Sequence, residues 1–151
     1  AIKSFGGIEH RMEYVGDING IKYYNDSIAT IPTAVMGAVR ALGNVDTLLF
    51  GGLDRGIDYE AFIEFLNTAD ISNLVGLPET GHMIIKKLKE MGCNKNMVCA
   101  VDMADAVCAC DKCTGKGKVC LFSPAAASYN YYKNFEEKGK HFKKLVSELT
   151  N

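Results

Sequence analysis

The chain is predicted to fold as α/β: a Rossmann-like, mostly parallel sheet flanked by helices, with an N-terminal hairpin giving an antiparallel edge. Three observations predict it. Short, continuously apolar runs recur along the sequence, as strands buried on both faces require. Segments with helical apolar spacing separate those runs, and parallel neighbours are joined by such crossovers. Near the start, Asn19-Gly20 sits between two strand-like segments and is the strongest short hairpin signal.

Each element has its own warrant. Glu13 to Ile18 and Ile21 to Asn25 flank the turn, whose two residues both accept the positive φ it demands. Ala34, Val35, Ala38, Val39 and Leu42 share one helical face, with Pro32 in the first turn, where a missing N–H costs nothing. Thr47 to Phe50 is an apolar strand running into Gly51-Gly52. Tyr59, Phe62, Ile63 and Leu66 mark the next helix. Leu74 to Leu77 is a strand stopped by Pro78, followed by a helix carrying Ile84, Leu88 and Met91. Met97 to Val101 is a further strand, and Met103, Ala106, Val107 and Cys110 form one face of the helix after it. Val119 to Phe122 is the last strand, ended by Ser123-Pro124. A long closing helix has Tyr131, Phe135, Phe142, Leu145, Val146 and Leu149 at its apolar positions.

A length of 151 residues with 48% apolar and 23% charged residues fits one folded domain, 1–151, with no repeat, linker or low-complexity tract. The net charge of −1 excludes a global attraction to nucleic acid or anionic membrane, so any anion must be held by a local site. No apolar run reaches membrane-spanning length and no signal-peptide pattern opens the chain, which predicts a cytoplasmic protein without membrane insertion. Six cysteines, at 93, 99, 108, 110, 113 and 120, raise a disulfide framework or a zinc site. On a helix, residues 108 and 110 point about 200° apart, so their sulfurs do not converge on one ion. Cys99 and Cys120 fall in apolar runs as small core residues. Free thiols and no metal site are expected.

Ligands in open α/β sheets bind beyond the carboxyl ends of the strands. That rule selects Asn25 to Ile31, Gly51 to Asp58, the turn after Leu77, and Ser123 to Ser128. In Asn25-Asp26-Ser27-Ile28-Ala29-Thr30 the polar residues suit turns and caps, yet an Asp and two hydroxyls at a strand end also suit a metal–phosphate group or a carboxylate. Gly51-Gly52-Leu53-Asp54-Arg55-Gly56 lets backbone approach a ligand, with Arg55 as a planar fork for a carboxylate. An isolated arginine there is more often a surface residue. Ser123-Pro124-Ala125-Ala126-Ala127-Ser128 leaves N–H groups and a hydroxyl available to an anion, or is simply a tight strand-to-helix connection. His10-Arg11 by itself suggests a solvent-exposed pair, and His82 and His141 ordinary surface residues. Neither a dinucleotide fingerprint nor a GxxxxGK[ST] phosphate loop occurs.

At these loops a resemblance emerges. His10-Arg11-Met12-Glu13, the stretch Tyr24 to Thr30, Gly51 to Gly56, and Ser123 to Ser128 followed by Lys133-Asn134-Phe135-Glu136 and Gly139 occur in order. Together they resemble the C-terminal, amino-acid-receiving domain of the Mur ligase family, and within it the D-glutamate-adding ligases. The resemblance runs from His10 to the last helix. It implies a domain of a three-domain, bacterial, ATP-dependent amide ligase of peptidoglycan synthesis, whose UDP-binding and central ATPase domains are absent here. It implies ATP and Mg2+ as cofactors, held mainly by the central domain, and D-glutamate and UDP-N-acetylmuramoyl-L-alanine as the other partners. By the same resemblance Arg11 and Asp26 contact ATP, while Thr30, Arg55, Ser128, Tyr129 and Phe135 form the D-glutamate pocket, Tyr129 mainly through its backbone. Relatives often carry lysine at the positions of Ile28 and Arg55, so Arg55 is expected to take over part of the positive charge missing at Ile28. The isolated domain is expected to fold without ligating. Two alternatives differ in class: another ligase of the superfamily, such as one adding glutamate to folate, and a non-catalytic nucleotide-binding Rossmann module.

Overall fold

A computed structural model describes residues 8–128 and 132–149. Strands β1 (Glu13–Ile18) and β2 (Ile21–Asn25) form the hairpin, its turn residues Asn19 and Gly20 at φ of 55° and 82°. Then follow α1 (Pro32–Leu42), β3 (Val45–Phe50), α2 (Glu60–Thr68), β4 (Asn73–Gly76), α3 (Thr80–Glu90), β5 (Asn96–Cys99), α4 (Met103–Cys113), β6 (Val119–Phe122) and α5 (Phe135–Ser147). The sheet runs β1-β2-β6-β3-β4-β5, antiparallel between β1 and β2 and parallel at every other pairing. The expected α/β architecture with its antiparallel edge is therefore the one found.

Alternation along the central strands divides the core into two layers. Leu48, Phe50, Leu74 and Leu121 face α1, α2 and α3, where Val35, Phe62, Leu66, Ile84 and Leu88 meet them. Leu49, Val75, Cys120 and Phe122 face α4 and α5, against Met103, Val107, Phe142 and Val146. Every residue of β3, β4 and β6 is buried, so residues 48–50, 74–75 and 119–122 read as continuous apolar stretches, while Asp46, Thr47 and Asn73 are polar residues buried near the starts of β3 and β4. Pro32 stands in the first turn of α1, as its missing N–H suggests.

The expectations depart from the structure at element ends and edges. Leu77 and Val101 lie beyond their strands, and Val101 is 70% exposed. Cys99 is exposed rather than core, because β5 is the sheet's outer strand and has one neighbour among the described residues. Met91 caps α3 from its end and is exposed. The position at Tyr131 lies outside the described residues. All six thiols are free; Cys108 is exposed and Cys110 buried, on opposite sides of α4. No described helix is long and apolar enough to cross a membrane.

Candidate functional site

The loops at the carboxyl ends of β2, β3, β4 and β6 are laced by backbone hydrogen bonds. Asp26 N donates to Phe122 O at 2.7 Å, Gly51 N to Pro124 O at 2.8 Å, and Leu53 N to Ala127 O at 3.0 Å. Leu77 N reaches Phe50 O at 2.7 Å, and the Tyr59 hydroxyl reaches Ala125 O at 2.7 Å. Thr80 Oγ1 accepts from Gly52 N at 2.9 Å, tying the start of α3 to the β3 loop. A Cβ at Gly52 would stand 2.5 Å from Ala127 O, so a side chain at this position cannot coexist with the crossing. Loops held this way present fixed donors without exposing unsatisfied backbone.

Asp26 is buried at the head of this array. Its Oδ1 accepts from Met12 N at 3.0 Å and its Oδ2 from the Ser123 hydroxyl at 2.8 Å. Burial raises its pKa, while these two bonds and the Arg11 charge pull it back part of the way. Arg11 and Asp26, the two expected ATP contacts, are thus brought together, with Arg11 exposed and Asp26 inside. His10 corrects the sequence reading: it is 3% exposed, not a surface residue. The Asn25 amide donates to His10 Nδ1 at 2.9 Å and to Glu13 Oε1 at 3.1 Å, which leaves the ring proton on Nε2. Gly139 of α5 packs against this cluster so closely that a Cβ there would overlap His10 Nδ1 and Ser27 Oγ. A short loop motif, a histidine and a helix glycine distant in sequence therefore form one packed unit.

The residues expected to form a D-glutamate pocket are placed around the same end of the sheet. Thr30 is half-buried just before α1, and Arg55 is exposed on the β3 loop. Phe135 opens α5 and meets the His10 ring edge-on at a centroid distance of 5.9 Å. Ser128 is buried and lines a groove of about 330 Å³ beside Gly52, Pro78, Val101, Tyr132 and Lys138. Thr30, Arg55 and Phe135 do not line that groove, and Tyr129 lies outside the described residues. Among the described residues no group of three or more His, Cys, Asp or Glu side chains gathers as a metal cage would.

Sequence reasoning missed the groove's most unusual member. Lys138 is 3% exposed, donates from Nζ to Gly51 O at 3.1 Å, and has its pKa lowered to about 8 by burial. A lysine in a solvated amphipathic helix is ordinarily assigned to the wet face. The signal was its spacing, three after Phe135 and four before Phe142, which puts it on the apolar stripe. The two helical histidines also depart from their surface assignment. His82 Nε2 lies 2.7 Å from Ala100 O, and His141 Nδ1 lies 2.6 Å from the Tyr132 hydroxyl at the groove's rim. Burial, then Asp102 and Glu137, pushes the Tyr132 hydroxyl up to about 12.

Comparison with known proteins adds a family. Residues 10–126 match the family described as Mur ligase, glutamate ligase domain. The UDP-N-acetylmuramoylalanine–D-glutamate ligase of Caldanaerobacter subterraneus subsp. tengcongensis is 37% identical over 149 residues, 98% of this chain and 33% of that protein. The ligase of the same name from Lachnoclostridium phytofermentans is 38% identical over 149 residues, covering 99% and 32%. The chain thus spans about a third of the length of the curated relatives it matches. Among solved structures, UDP-N-acetylmuramate-alanine ligase MurC from Thermotoga maritima superposes with a TM-score of 0.59 at 17% identity, over 96% of this chain and 31% of that one. At that identity the likeness shows the fold alone.

Proposed function

The chain belongs to the Mur ligase family, and on that premise we propose that it is the C-terminal, amino-acid-receiving domain of a three-domain cytoplasmic ligase. The complete enzyme would add D-glutamate to UDP-N-acetylmuramoyl-L-alanine in peptidoglycan synthesis. The observation that carries this reading is a likeness to D-glutamate ligases along 98% of the chain, through the loops that converge at one end of the sheet.

In this reading ATP, held with Mg2+ mainly by the central domain, supplies the phosphoryl group that activates the substrate carboxylate. Arg11 would reach the nucleotide from the domain edge. Asp26, with both oxygens already accepting internal hydrogen bonds, suits holding Arg11 and the loop in place better than caging a metal. Arg55 would grip a carboxylate of D-glutamate through its planar fork, compensating in part for Ile28. Thr30 and Ser128 would add hydroxyl contacts, Tyr129 its backbone, and Phe135 an apolar wall. Closure of this domain over the other two would orient the amine for attack and exclude water from the activated acyl group.

Phosphate release by the enzyme that carries this domain, with UDP-N-acetylmuramoyl-L-alanine and a panel of amino acids, tests the reading. Release dependent on D-glutamate, and not on L-glutamate or folates, is expected. Release with another acceptor would reassign the pocket, and no release with any acceptor would refute the ligase reading.

A further inference from the structure

A second groove, of about 610 Å³, runs between α2 and α3, and no residue assigned to ATP or D-glutamate lines it. Ile57, Ile63, Met83 and Met91 give it an apolar floor. The first three also pack on the core, whereas Met91 is 46% exposed. Carboxylates rim this floor: Asp58 at the mouth, Glu60 and Glu64 on α2, and Glu90 on α3, set against the ammonium of Lys87. The side chains of Glu60, Glu64 and Glu90 make no ion pair among the described residues. Lys87 and Glu90 stand three apart on α3, a spacing that permits a pair, yet none forms. An ordinary solvated helix face interleaves both signs, but α2 carries no cation at all.

We propose that this groove docks a basic amphipathic helix of a partner protein, with its apolar side chains on the floor and its lysines or arginines facing Glu60, Glu64 and Glu90. Charge complementarity selects the occupant. The carboxylate rim repels nucleic acid and anionic lipid, and an acidic helix equally. A second copy of this chain fits less well, because the exposed face of α5 mixes Lys140 and Lys144 with Glu136 and Glu137. Two methionines suit a helix-binding floor, since their flexible thioethers adapt to the side chains they meet. The 11 residues of α3 span about 16 Å, room for about three turns of a bound helix. So small a contact suits a transient partner. None of this rests on the ligase reading.

NMR of the isotopically labelled 151-residue chain, titrated with a synthetic amphipathic helix of leucine and lysine about 18 residues long, tests the proposal. The methyl signals of Met83 and Met91 and the amides of Glu60 and Glu64 are expected to shift saturably, less readily as salt rises. A matched peptide with glutamate in place of lysine should leave them unmoved. Glu64→Lys and Met91→Ser, both at exposed positions, should each weaken binding about tenfold, and Glu148→Lys at the end of α5 should not. Equal binding of both peptides, or shifts elsewhere with the groove signals unmoved, would overturn the proposal. Groove shifts that grow with protein concentration in the absence of peptide would assign the groove to a second copy instead. A response seen in this chain but lost in the complete enzyme would assign it to a neighbouring domain, again against the proposal. Amino-acid-dependent phosphate release decides the ligase reading separately.

Discussion

The hydroxyl of Ser123 donates to Oδ2 of Asp26 at 2.8 Å, joining residues 97 apart in sequence. This bond closes the end of β6 onto the end of β2, while Met12 N holds the other oxygen. Ser123→Ala leaves a buried carboxylate short of a donor and should cost about 1–3 kcal/mol in urea denaturation near neutral pH. Burial already raises the Asp26 pKa, and losing Ser123 raises it further. The folded variant therefore takes up its proton before the unfolded chain does, and the penalty should shrink as pH falls through that value. A penalty independent of pH would contradict this account.

Lys138 gives a stability profile of the opposite sense. Its folded pKa is about 8, below the ordinary 10.5. At neutral pH both states carry the proton, and burying the ammonium destabilises the fold by on the order of 3 kcal/mol. Above about 8 the folded state releases that proton first, so this penalty fades as pH rises toward 10.5. The buried thiol of Cys110 and the partly buried one of Cys113, held above their ordinary value, act in the reverse direction. The quantity to measure is therefore the difference between the chain and Lys138→Met, by denaturation at several pH values. It should favour the methionine variant most at neutral pH and narrow toward alkaline pH.

Gly139→Ala should be among the most damaging single-methyl additions in the chain. The new Cβ would overlap His10 Nδ1 and Ser27 Oγ, both in buried residues with little room to yield. Helix propensity favours alanine by about 1 kcal/mol, so a net loss of about 1–3 kcal/mol in urea denaturation would show that the steric clash dominates. A gain in stability would mean that α5 can stand further from the loop.

These three cases mark what the sequence discloses. The hairpin's strand bounds were legible to the residue, because Asn19-Gly20 fixes the turn and the pairing next to it, but the register shift between Tyr14 and Gly16 left no mark in the sequence reading. The central strands were legible where burial on both faces leaves apolar side chains, whereas Asp46 and Asn73 near the starts of β3 and β4 were not, because they are polar residues buried against each other. Cys99 was misplaced because an apolar run does not say whether its strand has one neighbour or two. His10 looked exposed because the Asn25 amide and the Phe135 ring that enclose it come from elsewhere in the chain. Asp26 was visible as a candidate, but its partner Ser123 was not, since pairing across 97 residues leaves no periodic trace.

Thiol reactivity should sort by position. Cys99 and Cys108 are exposed, Cys93 and Cys113 partly buried, Cys110 and Cys120 buried. Brief alkylation of the native chain followed by mass spectrometry should label Cys99 and Cys108 first, and Cys110 and Cys120 only after unfolding. Early labelling of Cys120 would mean that β6 is not held between β2 and β3.

In the enzyme that carries this domain, Arg55→Ala should raise the KM for D-glutamate about 10–100-fold and leave that for ATP nearly unchanged, with Arg55→Lys intermediate. An unchanged KM would remove Arg55 from the pocket and its compensation for Ile28 with it.

The position of β6 has a consequence for synthesis. The strand at the middle of the sheet is the last to leave the ribosome, and it pairs with β2 on one side and β3 on the other. Until Val119–Phe122 emerges, the hairpin and the β3–β4–β5 array have no strand to join them, and each presents an open edge. The nascent chain must reach residues 119–122 before the two parts become one sheet. That interval is when self-association threatens this domain most, and slowing translation before residue 119 would lengthen it.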